Sequence, residues 1–281
     1  MSADAQPQSR SLTINNLQLH HLDWGNESAL PLVCVHGFRG TAHSFDGFAR
    51  RFRDRYHVLS LDVRGRGDSA WSPEGNYRYE DYVSDLEAVV EALGLDRFTL
   101  VGTSMGGIIA MTYAGRHPKR LQRIVINDIG PEEESGSARI THEAAAIPER
   151  FDSFDAALAY FLATFPTRAL QTAEEQRDLA LSQVREGEGG RWVWKMDLTI
   201  TRQRGEQGSP VRPPLWPALI GLECPALVVW GTASDVLSED QARRMIGVLQ
   251  QGELAAVPGV GHAPNLTEPA ALSALERFLT R

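Results

Sequence analysis

The chain has 281 residues, 42% of them hydrophobic and 23% charged, which is typical of a globular protein with one large α/β domain or a core carrying an inserted subdomain. Its formal net charge of −8 argues against nucleic-acid binding, because phosphate recognition requires clustered Lys and Arg. Cys34 and Cys224 lie far apart in or beside apolar runs, which favours buried hydrophobes over a disulfide, a metal site or a cysteine nucleophile. The polar N-terminus contains no signal-peptide core, and no apolar run approaches the ~20 residues that cross a bilayer. We therefore expect a cytoplasmic protein.

Strand-like and helix-like runs alternate through the first half of the chain. Short apolar runs predict strands within 12–23 and at 32–35, 58–61, 98–101 and 121–126. Helical spacing and stop signals predict helices at 44–52, 79–93 and 104–117. This order predicts a mostly parallel sheet covered by helices on both faces, with ligands bound beyond the carboxyl ends of its strands.

The alternation stops after Pro131. From there to about residue 213 the sequence indicates helices without clear buried strands, including an apolar helical stripe formed by Phe154, Leu158, Phe161, Leu162 and Phe165. Alternation then resumes, with strands predicted at 226–230 and 254–257 and helices at 238–249 and 268–280. We therefore divide the chain into a first core segment (1–130), a helical cap insertion (131–213) and a second core segment (214–281).

The segment Gly102-Thr103-Ser104-Met105-Gly106 stands between a predicted strand and a predicted helix. A serine on a sharp strand-to-helix turn is held in an exposed position, and the flanking glycines allow the tight turn and close strand–helix packing. This setting makes Ser104 a candidate nucleophile.

A serine hydroxyl needs a base, most often a histidine that a carboxylate holds in place. Of the eight histidines, His262 is favoured because it lies in a glycine-rich loop after the last predicted strand, where it can reach the edge of the sheet. The carboxylate should lie between the serine and the histidine in chain order. Asp235, just after the strand at 226–230, is our first choice, and Asp128, after the strand at 121–126, is the alternative.

Acyl transfer also requires backbone N–H groups aimed at the developing oxyanion. The residue after the nucleophile, Met105, should supply one amide. Phe38, in the loop after the strand that ends at His36-Gly37, should supply the other, and Gly37 allows the backbone to approach closely.

At this point the chain resembles the α/β-hydrolase superfamily over nearly its whole length. The order Ser104, Asp235, His262 is the order of that family's triad. Further similar motifs are His36-Gly37-Phe38-Arg39-Gly40, Asp62-Val63-Arg64-Gly65-Arg66-Gly67-Asp68-Ser69, Asn127-Asp128-Ile129-Gly130-Pro131 and Cys224-Pro225. The resemblance implies an α/β-hydrolase fold: an eight-stranded, mostly parallel sheet with helices on both faces and a helical cap inserted after the sixth strand. It also implies that Asp62 and Arg64 fix loops near the site.

The family contains several chemistries, and function lies in the site rather than the fold. Ser104 at the elbow disfavours the halogen and epoxide chemistry of relatives that carry aspartate there. Esterases, lactonases, thioesterases, carbon–carbon hydrolases and cofactor-free haloperoxidases remain. Candidate pocket residues are His36, Gly37, Arg39, Trp192, Trp194 and Trp216. We prefer plain cap packing for the tryptophans and a surface position for Arg39, although Arg39 beside the oxyanion loop is a candidate partner for a substrate carboxylate.

The sequence therefore predicts a serine hydrolase that cleaves a carboxylic ester, lactone or thioester of a small to medium, largely apolar substrate. The alternatives are a carbon–carbon hydrolase of a ring-cleavage diketone acid and, as a minor one, a non-catalytic small-molecule-binding relative. We expect no metal and no organic cofactor, because no ligand cluster or phosphate-cradling loop is visible. We also expect no nucleic-acid or membrane partner, and a monomer or homodimer.

Overall fold

The computed structural model describes residues 6–164 and 172–280. Its main sheet has eight strands in the spatial order β1-β2-β4-β3-β5-β6-β10-β11. In chain order these strands are β1 (Gln8–Ile14), β2 (Leu17–Asp23), β3 (Leu30–Val35), β4 (Tyr56–Leu61), β5 (Phe98–Thr103), β6 (Leu121–Asn127), β10 (Ala226–Gly231) and β11 (Gly252–Val257).

Strand direction in this sheet follows from the connections. The hairpin β1–β2 is antiparallel, and β2 pairs antiparallel with β4. Every later pairing in the main sheet is parallel, since a helix intervenes between consecutive strands. The predicted eight-stranded, mostly parallel sheet is thus confirmed, and the carboxyl ends of β3, β5, β6, β10 and β11 meet at one edge.

Helices cover both faces of the sheet. The helices outside the 131–213 segment are α1 (Asp46–Phe52), α2 (Tyr79–Ala92), α3 (Met105–Arg116), α8 (Leu215–Ile220), α9 (Glu239–Val248) and α10 (Pro269–Leu279). Two buried clusters result, one on each side of the sheet. Phe98, Ile108 and Met245 belong to one cluster, and Phe48, Val101 and Phe278 belong to the other. The burial of residues on both faces explains why these strands are apolar runs rather than alternating ones.

The segment between β6 and β10 departs from the prediction in one respect. It contains the helices α4 (Gly136–Ala145), α5 (Phe154–Thr164), α6 (Ala173–Gln183) and α7 (Thr199–Gln207). It also contains a three-stranded antiparallel sheet of β7 (Arg150–Phe151), β8 (Val184–Glu186) and β9 (Trp192–Trp194), in the order β7-β9-β8. These strands have two or three residues each, too few to give a periodic signal in the sequence. Phe165 of the predicted stripe lies outside the described residues.

None of the helices in the described ranges combines the length and the apolar character that crossing a membrane requires.

Candidate active site

Ser104 stands at the turn between β5 and α3 with φ +53° and ψ −117°, a conformation that L-residues rarely adopt. Glycine is required on both sides of it. A Cβ on Gly106 would lie 2.0 Å from the carbonyl oxygen of Val35, and one on Gly102 would lie 2.3 Å from that of Gly106. The close packing of β3, β5 and α3 therefore holds the turn, and the turn presents the hydroxyl of Ser104 at the carboxyl edge of the sheet.

Ser104 and His262 meet as predicted from the sequence. The Oγ of Ser104 lies 2.7 Å from Nε2 of His262, which the loop after β11 carries back to the end of β5. The other ring nitrogen, Nδ1, lies 2.8 Å from Oδ2 of Asp128. With Nδ1 protonated and donating to Asp128, Nε2 is free to accept the serine proton.

Asp128 follows β6 directly and is fully buried. Its carboxylate accepts three hydrogen bonds: one from His262, one at 2.9 Å from the amide of Gly231, and one at 2.7 Å from the hydroxyl of Ser234. A buried carboxylate with hydrogen bonds to both of its oxygens is fixed in orientation beside the imidazole.

Asp235, our first choice for the acid, does not contact His262 in this way. Its two carboxylate oxygens accept from Nε and Nη2 of Arg139 on α4, at 2.7 and 2.8 Å. These hydrogen bonds lower the pKa of Asp235, and the side chain is 37% exposed. The structure therefore corrects the prediction: the alternative, Asp128, holds the histidine, because the bidentate pair with Arg139 turns Asp235 away.

The loop after β3 carries the predicted oxyanion donor, Phe38. Nδ1 of His36 lies 2.8 Å from the carbonyl of Gly37, while Nε2 accepts the amide of Val63 at 3.2 Å. Burial lowers the pKa of His36 to about 4, against the opposing effect of Asp62, so the imidazole is neutral with its proton on Nδ1. Because a trans peptide points its N–H opposite to its C=O, this bond orients the amide of Phe38. Met105 opens α3, where helix geometry leaves its N–H without an intrahelical acceptor.

Arg66 contacts the same loop from the protein core. This fully buried side chain donates from Nε to the carbonyl of Phe38 at 2.8 Å and from Nη1 to the hydroxyl of Tyr82 at 3.3 Å. Its guanidinium lies 5.4 Å from the ring centroid of Phe38, and Arg204 of α7 lies 4.9 Å from the same centroid. Phe38 thus makes cation–π contacts with one arginine of the core and one of the cap.

A cavity of about 920 Å³ opens beside Ser104 and His262. Of the predicted pocket residues, His36, Gly37 and Arg39 line it, together with Phe38. The three tryptophans do not. Trp194 is buried against Phe151 and Phe161, Trp192 packs on Phe154, and Trp216 donates to Glu132 and lies under Arg244. Their places are taken by smaller cap side chains, among them Phe161, Leu162 and Leu179.

One wall of this cavity is an ionic chain, defined here as Arg39, Glu143, Arg139 and Asp235. Arg39 donates to Glu143 at 2.9 Å. Arg139 lies 2.7 Å from Glu143 and 2.7 Å from Asp235, and so links the two carboxylates. Burial lowers the pKa of Arg39, while Glu143 opposes that effect. The prediction of a surface position for Arg39 is wrong, because its side chain is only 9% exposed and an acidic partner from the cap covers it.

A second group of potential ligands lies away from this cavity. Ligand atoms of His20, Asp62 and Asp68 lie within 4.8 Å of one another in the described part of the chain. Asp62 already accepts from His20 and from the amides of Ala42 and Asp68. These bonds tie the loop after β4 to the loop after β3, so the group has a structural role, in line with the loop-fixing role that the resemblance implied for Asp62.

Arg66 and Gln183 are among the residues of the site that the sequence analysis did not identify. Arg66 belongs to a quoted motif, and its burial could not be read from a charged residue type. Gln183 lines the cavity, and its only available signal was its position one helical turn after Leu179 and Ala180.

Comparison with known proteins agrees with this geometry. Residues 31–269 match the family model described as the alpha/beta hydrolase fold. A 3-hydroxybutyrate-oligomer hydrolase of Cupriavidus necator is 31% identical over 92% of this chain and 91% of that protein. An esterase of Mycobacterium tuberculosis is 28% identical, covering 91% of this chain and 84% of the relative. The crystal structure of an alpha/beta hydrolase from Novosphingobium aromaticivorans superposes with a TM-score of 0.87 at 30% identity, covering 98% of both chains. With its sheet order, its strained Ser104 and these relatives, the chain belongs to the alpha/beta hydrolase family.

Proposed function

We propose that this protein is a serine hydrolase that cleaves carboxylic esters of small molecules through an acyl-enzyme on Ser104. The observation that carries the proposal is the unbroken contact from Ser104 Oγ through the imidazole of His262 to the buried carboxylate of Asp128. These contacts give His262 a hydrogen-bond partner at each ring nitrogen, as the role of general base requires.

In the first step Ser104 Oγ attacks the ester carbonyl while Nε2 of His262 takes the serine proton. The amides of Phe38 and Met105 stabilise the negative oxygen that develops. His262 then gives the proton to the leaving alcohol, and the acyl group stays on Ser104. Water, deprotonated by His262, attacks the acyl-enzyme and releases the acid, which returns the serine to its starting state.

The substrate class that we favour is an ester of a short hydroxy acid, including its oligomers. The hydroxybutyrate-oligomer hydrolase matches nearly the full length of this chain, and the cavity of about 920 Å³ has room for more than one acyl unit. The diketone-acid alternative receives less support. Its carboxylate would need Arg39, whose guanidinium already faces Glu143.

The decisive experiment is hydrolysis of p-nitrophenyl butyrate and of the linear dimer of 3-hydroxybutyrate by the wild type and by Ser104→Ala. We expect serine-dependent turnover of both, with a loss of at least about 10⁴-fold in kcat/KM in the variant. Turnover that survives the substitution, in a protein with an unchanged melting curve, would refute the nucleophile. If the folded wild type is inactive on both esters but cleaves a diketone acid, the proposal of ester hydrolysis would be replaced by carbon–carbon hydrolysis.

A further inference from the structure

One face of α6 forms part of the cavity wall. Gln176, Leu179, Ala180 and Gln183 line the cavity, and their spacing of three, four and seven residues places them on one side of a helix. Phe161 and Leu162 of α5 continue this wall. The wall is thus largely apolar, and a polar group within it strongly affects which substrates fit.

Gln183, at the end of α6, is such a polar group. It is only 7% exposed, and its side-chain carboxamide has no hydrogen-bond partner within residues 6–164 and 172–280. Because Gln183 lines the cavity, its carboxamide offers a hydrogen-bond donor and an acceptor to a molecule bound there.

The backbone around Gln183 is held firmly near the oxyanion loop. Its carbonyl accepts the amide of Lys195 at 2.8 Å. The neighbouring Ser182 hydroxyl lies 3.0 Å from that of Thr41, in the segment that continues from the oxyanion loop. The carboxamide is therefore presented to the cavity by a fixed element, as a specificity contact requires.

Several other polar side chains around the cavity are already engaged. The ionic chain pairs Arg39 with Glu143 and Arg139 with Asp235. The hydroxyl of Thr164 donates to the carbonyl of Tyr160 at 2.6 Å. Gln183 differs from these in offering both a donor and an acceptor that no described residue uses.

We propose that Gln183 determines specificity by hydrogen bonding to a second carbonyl of the substrate, beyond the ester that Ser104 attacks. This inference rests on the proposed function and narrows its substrate class to esters with such a carbonyl, as in an oligoester of a hydroxy acid. A site built to hydrogen-bond a substrate group discriminates against the analogue that lacks it, because the amide of the protein is then left unpaired.

The test compares p-nitrophenyl hexanoate with its 4-oxo and 5-oxo analogues, which have the same chain length. Each kcat/KM is divided by the rate of hydroxide-catalysed hydrolysis of the same ester, which removes differences in intrinsic reactivity. For the wild type we expect at least one oxo ester to exceed hexanoate by about tenfold, the size of one neutral hydrogen bond. Gln183→Leu should lose this preference, so that its ratio of kcat/KM for the oxo esters to kcat/KM for hexanoate falls to about one.

Two further variants make the result unambiguous. Gln207→Leu, at an exposed position on α7, is the matched control and should keep the preference. Gln183→Glu keeps the size of the side chain but cannot donate a hydrogen bond when ionised, so it should also lose the preference. This variant replaces Gln183→Leu in the test if Gln183→Leu does not fold.

Three outcomes would overturn the proposal. The wild type could prefer neither oxo ester, or the preference could survive in the folded Gln183 variants. The variants could also lose kcat/KM on hexanoate by the same factor as on the oxo esters. Ser104→Ala, assayed on the same three esters, separates this failure from that of the proposed function. A serine-dependent enzyme without the oxo preference would keep the hydrolase mechanism and reject only the role of Gln183.

Discussion

Asp128 and Asp235 show how the surroundings of two like side chains divide their roles. Both follow strands that are neighbours in the sheet, β6 and β10, and Asp235 is close enough to His262 to interact with it electrostatically. Asp128 is fully buried and contacts the imidazole directly, whereas Asp235 is partly exposed to solvent and is paired with Arg139. Only the first arrangement fixes the tautomer that a general base needs.

We predict that Asp128→Asn lowers kcat by about 10⁴-fold, because an amide at this position no longer holds His262 in the required tautomer or stabilises its charged form. Asp235→Asn should lower kcat by less than about tenfold, since it removes a contact to the cap and not to the histidine. The measurement is kcat for p-nitrophenyl butyrate with both purified variants. Equal losses in the two variants, or a larger loss in Asp235→Asn, would contradict the geometry.

At the scale of elements, the ionic chain joins three parts of the molecule. Arg39 belongs to the loop after β3, Glu143 and Arg139 belong to α4, and Asp235 belongs to the loop after β10. Glu143 is the shared member, because it accepts from both arginines. It therefore ties α4 to the loop that carries Arg39 and Phe38.

We predict that Glu143→Gln lowers the free energy of unfolding by about 1–2 kcal/mol and raises KM more than it lowers kcat. Arg39 would be left buried without its acidic partner, and removing one member of a buried pair costs more than removing an exposed one. The matched control is Glu239→Gln, which breaks an exposed pair with Arg243 and should cost less than about 0.5 kcal/mol. Urea unfolding and steady-state kinetics on the three proteins provide the comparison. Similar losses in both variants would show that the ionic chain has no special role.

At the scale of the whole molecule, two buried histidines make stability depend on pH. Burial lowers the pKa of both His36 and His21 from the ordinary value of 6.5 to about 4. The folded protein therefore keeps them neutral while the unfolded chain binds protons as the pH falls below 6.5. Their contribution is complete above pH 6.5 and is lost progressively as the pH falls toward 4.

We expect the free energy of unfolding to fall by about 2 kcal/mol for each of the two histidines between pH 7 and pH 5. His21→Leu, which removes one of them away from the cavity, should reduce this loss by about half. Urea unfolding at the two pH values measures both quantities. An unchanged pH dependence in the variant would refute the assignment for His21.

Several features of the fold and the site followed from local chemistry. Apolar runs predicted the buried parallel strands, because residues on both faces of these strands are covered. The glycines around Ser104 predicted the strained elbow, since a Cβ at those positions would collide with neighbouring backbone. His262 was identified by its loop after the last strand, and the structure places it within hydrogen-bond distance of Ser104.

Other features depended on contacts between distant segments, which a local pattern does not contain. Asp128 and Asp235 both follow strand ends between the serine and the histidine, and only the pair with Arg139 on α4 decides which carboxylate turns to His262. In the same way, the fold buries Arg39 and Trp194 and turns Gln183 toward the cavity. The sequence by itself determined the sheet, the strained turn at Ser104 and the position of His262 at the sheet edge, because each rests on short-range sterics and periodicity. The tertiary structure decided which aspartate contacts His262 and which side chains line the pocket, because these features rest on which side chains meet across the cap and the core.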